Sequence, residues 1–268
     1  MNAIITPIMD IRAHNREAWD QAHEWGNPWT IPVEPEEVQR ARQGDLRIFL
    51  TPTKPVPKAW LPPLKGLKVL GLAASGGQQG PLLAATGAQV TVLDNSPAQL
   101  ERDRMVAKRE GLSLETVEGD MADLSRFADS SFDLIVHPVS NVFVPDVIPV
   151  WREAARVLKP GGALLSGMTN PAVYLFDQAV VKKQGILKVA HKLPYSDIED
   201  LGEEATKDLI ERKLAFEFSH TLQDLLGGQI EAGFSIEGFY EDNYPVNDSE
   251  PLSKFMPLFF ATRALKKS

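Results

Sequence analysis

Lys68-Val69-Leu70-Gly71-Leu72-Ala73-Ala74-Ser75-Gly76-Gly77, followed by Gln89-Val90-Thr91-Val92-Leu93-Asp94-Asn95-Ser96, is the stretch that decides the fold. An apolar run of strand length passes into a loop of very small residues. A short helical segment returns, and a second apolar run ends on a carboxylate. In a parallel α/β sheet this order sets the loop and Asp94 side by side at the carboxyl edge of neighbouring strands. Nothing larger than a hydroxyl projects from Ala73, Ala74, Ser75, Gly76 or Gly77, so a ligand can approach the backbone closely. Asp94 can accept hydrogen bonds from both hydroxyls of a ribose. Loop and carboxylate together describe a nucleoside site.

The alternation continues downstream. Strands are predicted over Leu114–Glu118, Phe132–His137 and 163–168, with helices over 78–86, Pro97–Glu110 and 147–158. Ser96 is placed as N-cap of the second of these helices, Pro97 occupies its first position, and Gly111 stops it. Leu222, Leu225, Leu226 and Ile230 predict a further amphipathic helix ended by Gly233, and 234–240 and 256–265 predict two closing strands.

The dinucleotide fingerprint G-x-G-x-x-G is not met, because Ala73 stands where its middle glycine belongs. The later landmarks, Glu118-Gly119-Asp120-Met121, Phe132-Asp133-Leu134-Ile135-Val136-His137 and Leu158-Lys159-Pro160-Gly161-Gly162, resemble class I S-adenosylmethionine-dependent methyltransferases. The Gly76-Gly77-Gln78-Gln79 and His137-Pro138-Val139-Ser140-Asn141 segments look like a bacterial, type 11-like subgroup. The resemblance covers roughly 65–170 and resumes from Ser219. It implies an α/β, Rossmann-like fold: a mostly parallel seven-stranded sheet, helices on both faces, and a reversed C-terminal hairpin. The cofactor it implies is S-adenosylmethionine, with S-adenosylhomocysteine as product.

Carried over residue by residue, the resemblance sets Ala73 to Gly77 against the methionine portion and Asp94 on the ribose, with Asn95 and Ser96 beside it. Gly119, Asp120 and Met121 meet the adenine, and His137, Pro138 and Val139 form the floor under the sulfonium. The family usually carries an acidic residue where Gly71 stands, so the methionine end needs another partner here. Backbone carbonyls near Ala73 and Val139, or a group of the amino-terminal arm, are candidates.

His137 ends a predicted strand at the ligand-binding edge, and Asn141 follows closely. The two are therefore the candidate catalytic pair, with a neutral imidazole taking or orienting a proton of the acceptor. His220 stands just before a helix and is a second candidate. The Asn/Asp-Pro-Pro-Tyr/Phe motif of amino-methylating nucleic-acid enzymes is absent, which favours a small-molecule acceptor.

Outside this core, 1–64 reads as an arm with a helix over 11–25, a short one over 36–42, and many prolines between. Three of the five tryptophans, Trp19, Trp25 and Trp29, fall in this arm, where they anchor it or cover the pocket. Residues 171–218 carry many charges without strand–helix alternation and read as an inserted lid, with Tyr174 and Tyr195 as substrate candidates. Residues 65–170 and 219–268 make the cofactor-binding core.

The net charge of −8 argues against a nucleic-acid partner. Basic clusters at 102–109 and 182–188 read as solvated helix faces. The absence of cysteine excludes disulfides and thiolate chemistry, and the scattered histidines give no metal-ligand spacing. Pro7 and Asp10 interrupt the apolar residues of the amino terminus and no run is long enough to cross a bilayer, so the chain reads as cytoplasmic and free of membrane. The sequence leaves a homodimer open.

The leading reading is methyl transfer to an oxygen or nitrogen of a small metabolite. An NAD(P)-dependent oxidoreductase is the weaker enzyme alternative, lacking the glycine fingerprint and a Tyr-x-x-x-Lys pair. A non-catalytic S-adenosylmethionine-binding sensor or partner subunit is the other, kept open by Gly71. Calorimetry with S-adenosylmethionine and NADH separates the first alternative, and turnover on a metabolite panel separates the second.

Overall fold

The computed structural model describes residues 9–244 and 250–267; Pro7, read above against a leader peptide, lies outside them. Five strands run parallel: β1 (Lys68–Leu72), β2 (Gln89–Asp94), β3 (Leu114–Glu118), β4 (Phe132–His137) and β5 (Leu158–Thr169). Then β6 (Phe234–Asp242) and β7 (Phe259–Lys266) close the sheet as an antiparallel pair, with β7 beside β5. The order β3-β2-β1-β4-β5-β7-β6 puts the reversal of winding between β1 and β4, where open α/β sheets bind ligands. Around the sheet lie α1 (Ile11–Gln21), α2 (Pro35–Arg42), α3 (Gln79–Ala85), α4 (Pro97–Glu110), α5 (Ile148–Val157), α6 (Gln178–Gln184), α7 (Asp197–Asp200), α8 (Glu203–Glu211) and α9 (Gly228–Glu231). This is the Rossmann-like architecture expected from the sequence.

Strand alternation divides the core into two faces. Val69, Val90, Val92, Leu134, Val136 and Leu165 point into one cluster, and Leu70, Leu72, Leu93, Ile135 and Leu164 into the other. The second face is covered by α5, whose Trp151 and Val150 are fully buried, and by Leu225. The first is covered by α3, α4 and, extensively, the amino-terminal arm: Val33, Val38, Ile48, Leu50, Val56 and Leu64 are all buried there. The arm is thus held by aliphatic residues, and Trp25 is 65% exposed. Trp60 supplies a further anchor, lying on β6 so that a Cβ at Gly238 would meet its ring at 2.6 Å.

The small-residue loop after β1 is shaped by this arm. Gly76 has φ +104°, and a Cβ there would stand 2.6 Å from the Trp29 carbonyl oxygen; one at Gly77 would stand 2.9 Å from Pro32 Cβ. The Val33 amide donates to the Gly77 carbonyl at 2.9 Å. From the other side Asp103, fully buried on α4, accepts from the Gly76 amide through Oδ2 at 3.1 Å. Burial pushes that carboxyl well above the usual carboxylate range, and the nearby Asp94 adds to the effect. The basic face of α4 also serves the arm: Arg102 donates to the Thr30 carbonyl at 2.8 Å and Arg109 to that of Val33 at 2.6 Å. The sequence reading of a merely solvated face is corrected for these two arginines.

Several element boundaries differ from expectation: α1 stops at Gln21 before a 3-10 turn, and β7 starts at Phe259. β5 begins at Leu158 opposite Phe132, and regular pairing resumes at Ala163 after a register shift containing Gly161 at φ +75°. The predicted helix over 222–230 is a π-helical turn, Gln223–Gly227, running into α9. Gly228, which follows it, sits against α5, where a Cβ would come within 2.7 Å of Ile148 Cδ1 and 2.9 Å of Trp151 Cδ1. Only Leu225 of the expected apolar face is fully buried, while Leu222 and Ile230 are exposed.

Gly76→Ala should cost about 2 kcal/mol or more, since a side chain at that φ must also displace the Trp29 carbonyl. Chemical denaturation measures the loss, and limited proteolysis should show earlier cleavage within residues 9–64. A variant as stable as the parent would mean that the arm does not depend on this contact.

Candidate active site

A cavity of about 430 Å³ opens at the carboxyl edge of the sheet, within the usual size of small-molecule sites. Its walls follow the strand order. Beyond β3 stand Asp120 and Met121, at β2 Asp94 and Asn95, after β1 Ala73, Ala74 and Ser75, after β4 Pro138 and Val139, and at the end of β5 Thr169.

Asp94 occupies the expected place. Its Oδ1 accepts from the Ser96 amide at 3.0 Å and its Oδ2 from the Ser75 amide at 3.4 Å, leaving further lone pairs facing the cavity. Burial raises its pKa, and the Ser96 and Ser75 hydrogen bonds oppose that rise. This is a carboxylate whose environment favours added donors such as ribose hydroxyls. Asp120 does two things at once: Oδ1 accepts from the Ala122 amide at 2.9 Å, and Oδ2 lies 3.7 Å from Arg12 Nε. Arg12 also pairs with Asn95, whose amide donates to the Arg12 carbonyl at 2.9 Å.

Several expected site residues stand behind the wall. Gly76 and Gly77 face the arm and α4, Gly119 packs on Leu93, and Ser96 caps α4 while donating to Asp20 at 2.6 Å. Trp19 and Trp29 line the cavity but Trp25 does not. Tyr174 lines it, with Tyr195 stacked behind at 5.4 Å between ring centroids.

The placement of His137 corrects the sequence reading most. It is fully buried and absent from the cavity wall. Nδ1 lies 2.8 Å from the Leu72 carbonyl, Nε2 lies 2.7 Å from Asn141 Oδ1, and Trp151 stands edge-on at 6.1 Å. Asn141, itself 1% exposed, donates to the Gly167 carbonyl at 3.1 Å, and its own carbonyl lies 2.9 Å from His220 Nε2. His137, Asn141 and His220 therefore form a polar chain under the cavity floor that ties the ends of β1, β4 and β5 together. A parallel strand buried on both faces carried its last residue inside with it.

The other half of the cavity is built by the arm, the inserted segment and the C-terminal strands. Phe49, Leu50 and Thr51 of the arm cross the ends of β4 and β5; the Leu50 carbonyl accepts from the Val139 amide at 3.0 Å, and Gly167 leaves room for it. Tyr174, Glu217, Tyr244 and Phe259 complete this end, with the Tyr174 hydroxyl donating to Glu217 Oε2 at 2.6 Å. Burial and the neighbouring Glu217 raise the Tyr174 pKa well above that of an ordinary phenol. Asn15 joins the arm to the inserted segment: its amide donates to the Phe143 and Phe216 carbonyls at 3.1 Å each and accepts from the Phe216 amide at 2.8 Å. Arg12, Asn15 and Trp19 recur at helical spacing, so their shared face was readable; Glu217 and Gln79 carried no such signal.

Among the described residues no group of histidine and acidic side chains could hold a metal ion, and no helix is long and apolar enough to cross a membrane. A family model described as a methyltransferase domain matches residues 70–166. The chain is 53% identical over 266 residues to the uncharacterized methyltransferase YbaJ of Bacillus subtilis, covering 99% of this chain and 100% of that protein. The ubiquinone biosynthesis O-methyltransferase of Xanthomonas euvesicatoria is 30% identical over 129 residues, 48% of this chain and 54% of that one. The crystal structure of an S-adenosylmethionine-dependent methyltransferase from Mesorhizobium loti matches with a TM-score of 0.59 at 21% identity, covering 78% of this chain and 95% of that chain.

His137→Ala should destabilise the fold by about 2 to 4 kcal/mol, because it strands two buried polar partners. Burial lowers the pKa of both His137 and His220 in the folded chain. As pH falls through the ordinary imidazole range the unfolded chain therefore takes up protons that the folded one refuses, and stability declines. Urea melts between pH 7.5 and 5.5 should show that decline in the parent and a shallower one in the variant. Equal slopes would take His137 out of the pH response.

Proposed function

Because the chain belongs to the class I S-adenosylmethionine-dependent methyltransferases, we propose that it methylates an oxygen or nitrogen of a small metabolite that is neutral or cationic. The observation that carries this reading is the Tyr174–Glu217 pair, which lines the cavity at the end opposite Asp120. Among the described residues that line the cavity, Glu217 and Glu250 are the charged ones at that end, and Arg12 stands beside Asp120. An anionic acceptor would meet like charge there, whereas an amine or hydroxyl meets an acceptor for its proton. Phe49, Tyr244 and Phe259 supply the apolar surface that holds its body.

Ala73, Ala74 and Ser75 offer backbone to the cofactor, Asp94 the ribose acceptor, and Asp120 with Met121 the adenine contacts. When bound, the cofactor supplies a methyl carbon already activated by its positive sulfur. The protein must then align the acceptor, exclude water and remove a proton. Glu217 would take the proton released by the acceptor nitrogen or oxygen. Tyr174, kept as a phenol by burial, holds the Glu217 carboxylate in place. Tyr195 in turn backs Tyr174, its own hydroxyl donating to Asp197 at 2.6 Å.

Two measurements test this. Asp94→Ala should weaken S-adenosylhomocysteine binding by about 1.5 to 3 kcal/mol, the cost of lost charge-assisted hydrogen bonds, as read by calorimetry. In a turnover assay on amines, phenols and carboxylic acids, the first two classes should be methylated, and Glu217→Gln should slow transfer about 10²-fold with cofactor affinity kept. Preferred methylation of acids, or a full rate in Glu217→Gln, would overturn the assignment.

A further inference from the structure

Gln79 opens α3 and is 7% exposed, yet it lines the cavity. Its Oε1 accepts from the Phe49 amide at 3.2 Å. A backbone N–H can only donate, so this bond fixes which way the side-chain amide faces. Among the described residues the Nε2 group donates to no protein acceptor, and Gln79 stands on the cavity wall, so this donor is open to a ligand. A carboxylate that reached it there would gain a charge-assisted hydrogen bond.

Its place along the sheet edge narrows what that ligand group is. Base and ribose contacts sit at β3 and β2, through Asp120 and Asp94, and the acceptor end lies beyond β4 and β5. Gln79 follows β1, between the two. That is where the amino-acid tail of a cofactor laid along this edge must pass. The tail carries a carboxylate, and Arg12, the cation among the described residues that line the cavity, is engaged at the other end with Asp120 and Asn95. β1 itself presents only Gly71 at the position level with Val92 and Val136. We propose that Gln79 Nε2 is the donor that binds the carboxylate of the cofactor's methionine tail, so that this chain recognises the tail with a neutral amide. The inference rests on the cofactor-site reading given above and deepens it.

The test compares two ligands on two proteins by calorimetry. S-adenosylhomocysteine carries the tail; 5′-deoxy-5′-methylthioadenosine has the same nucleoside and thioether without it. Gln79→Glu keeps an oxygen for the Phe49 amide while replacing the donor with a negative charge. It should weaken S-adenosylhomocysteine at least tenfold and leave the methylthioadenosine within twofold. The decarboxylated form of S-adenosylhomocysteine, which keeps only the ammonium, should bind the variant at least as well as the parent. Should Gln79→Glu fold poorly, Gln79→Met, uncharged and without the donor, should show the same selective loss. Equal weakening of both nucleosides, or undiminished S-adenosylhomocysteine binding in a folded variant, would overturn the role of Gln79 and leave the cofactor site standing. Failure of the parent chain to bind S-adenosylhomocysteine would overturn both.

Discussion

The absence of clearance between the Gly76–Gly77 turn and the amino-terminal arm governs the architecture of this site. The Trp29 carbonyl and Pro32 occupy the space that side chains would fill, so the small-residue loop is a seat for the protein's own chain before it is a cradle for a ligand. With the arm seated there, α1 is carried across the carboxyl edge, and Arg12, Asn15 and Trp19 reach the cavity. Farther along, the same arm lays Leu50 against Gly167, bringing Phe49 and Thr51 to the opposite end. One steric fit therefore positions side chains at both extremes of the pocket.

Buried polar groups hold the edge itself in shape. Asp103 draws the Gly76 amide toward α4 with one oxygen while its other oxygen lies buried without a partner. This is an expensive arrangement that burial offsets by favouring the protonated acid. The His137–Asn141–His220 chain does the corresponding work beneath β4 and β5, where three strand ends would otherwise leave carbonyls unmet. Polar side chains here fix backbone, and the backbone then presents the cavity.

How legible each part was follows from the range of the interactions involved. β1 to β4, the α4 cap at Ser96 and the stop at Gly111 were readable because period, capping and turn chemistry act over a few residues. Asp94 and Asp120 were readable for a related reason: one closes β2 and the other follows β3 by two residues, strands whose register the sheet imposes. His137 was misplaced because sequence gives the end of a strand without saying whether the next loop turns inward over it. Pro138 and Asn141 bring the chain back across the ring, and that return is a long-range property. Glu217, Gln79 and the aliphatic anchors of the arm were unreadable because each takes its meaning from a partner more than twenty residues away.

The cavity wall at the ends of β1 to β4 is nearly continuous in sequence, from Ala73 to Val139, whereas the rest comes from both flanks of the chain. The two halves of the pocket are consequently open to separate inheritance. A descendant could exchange residues 171–218 for others and meet a new acceptor while the Ala73 to Val139 wall, seated on the arm, stayed as it is. Relatives alike only across the central hundred residues resemble this chain in that wall alone, and their acceptors say little about this one. The Bacillus protein, alike from end to end, is a relative from which acceptor choice can be learned.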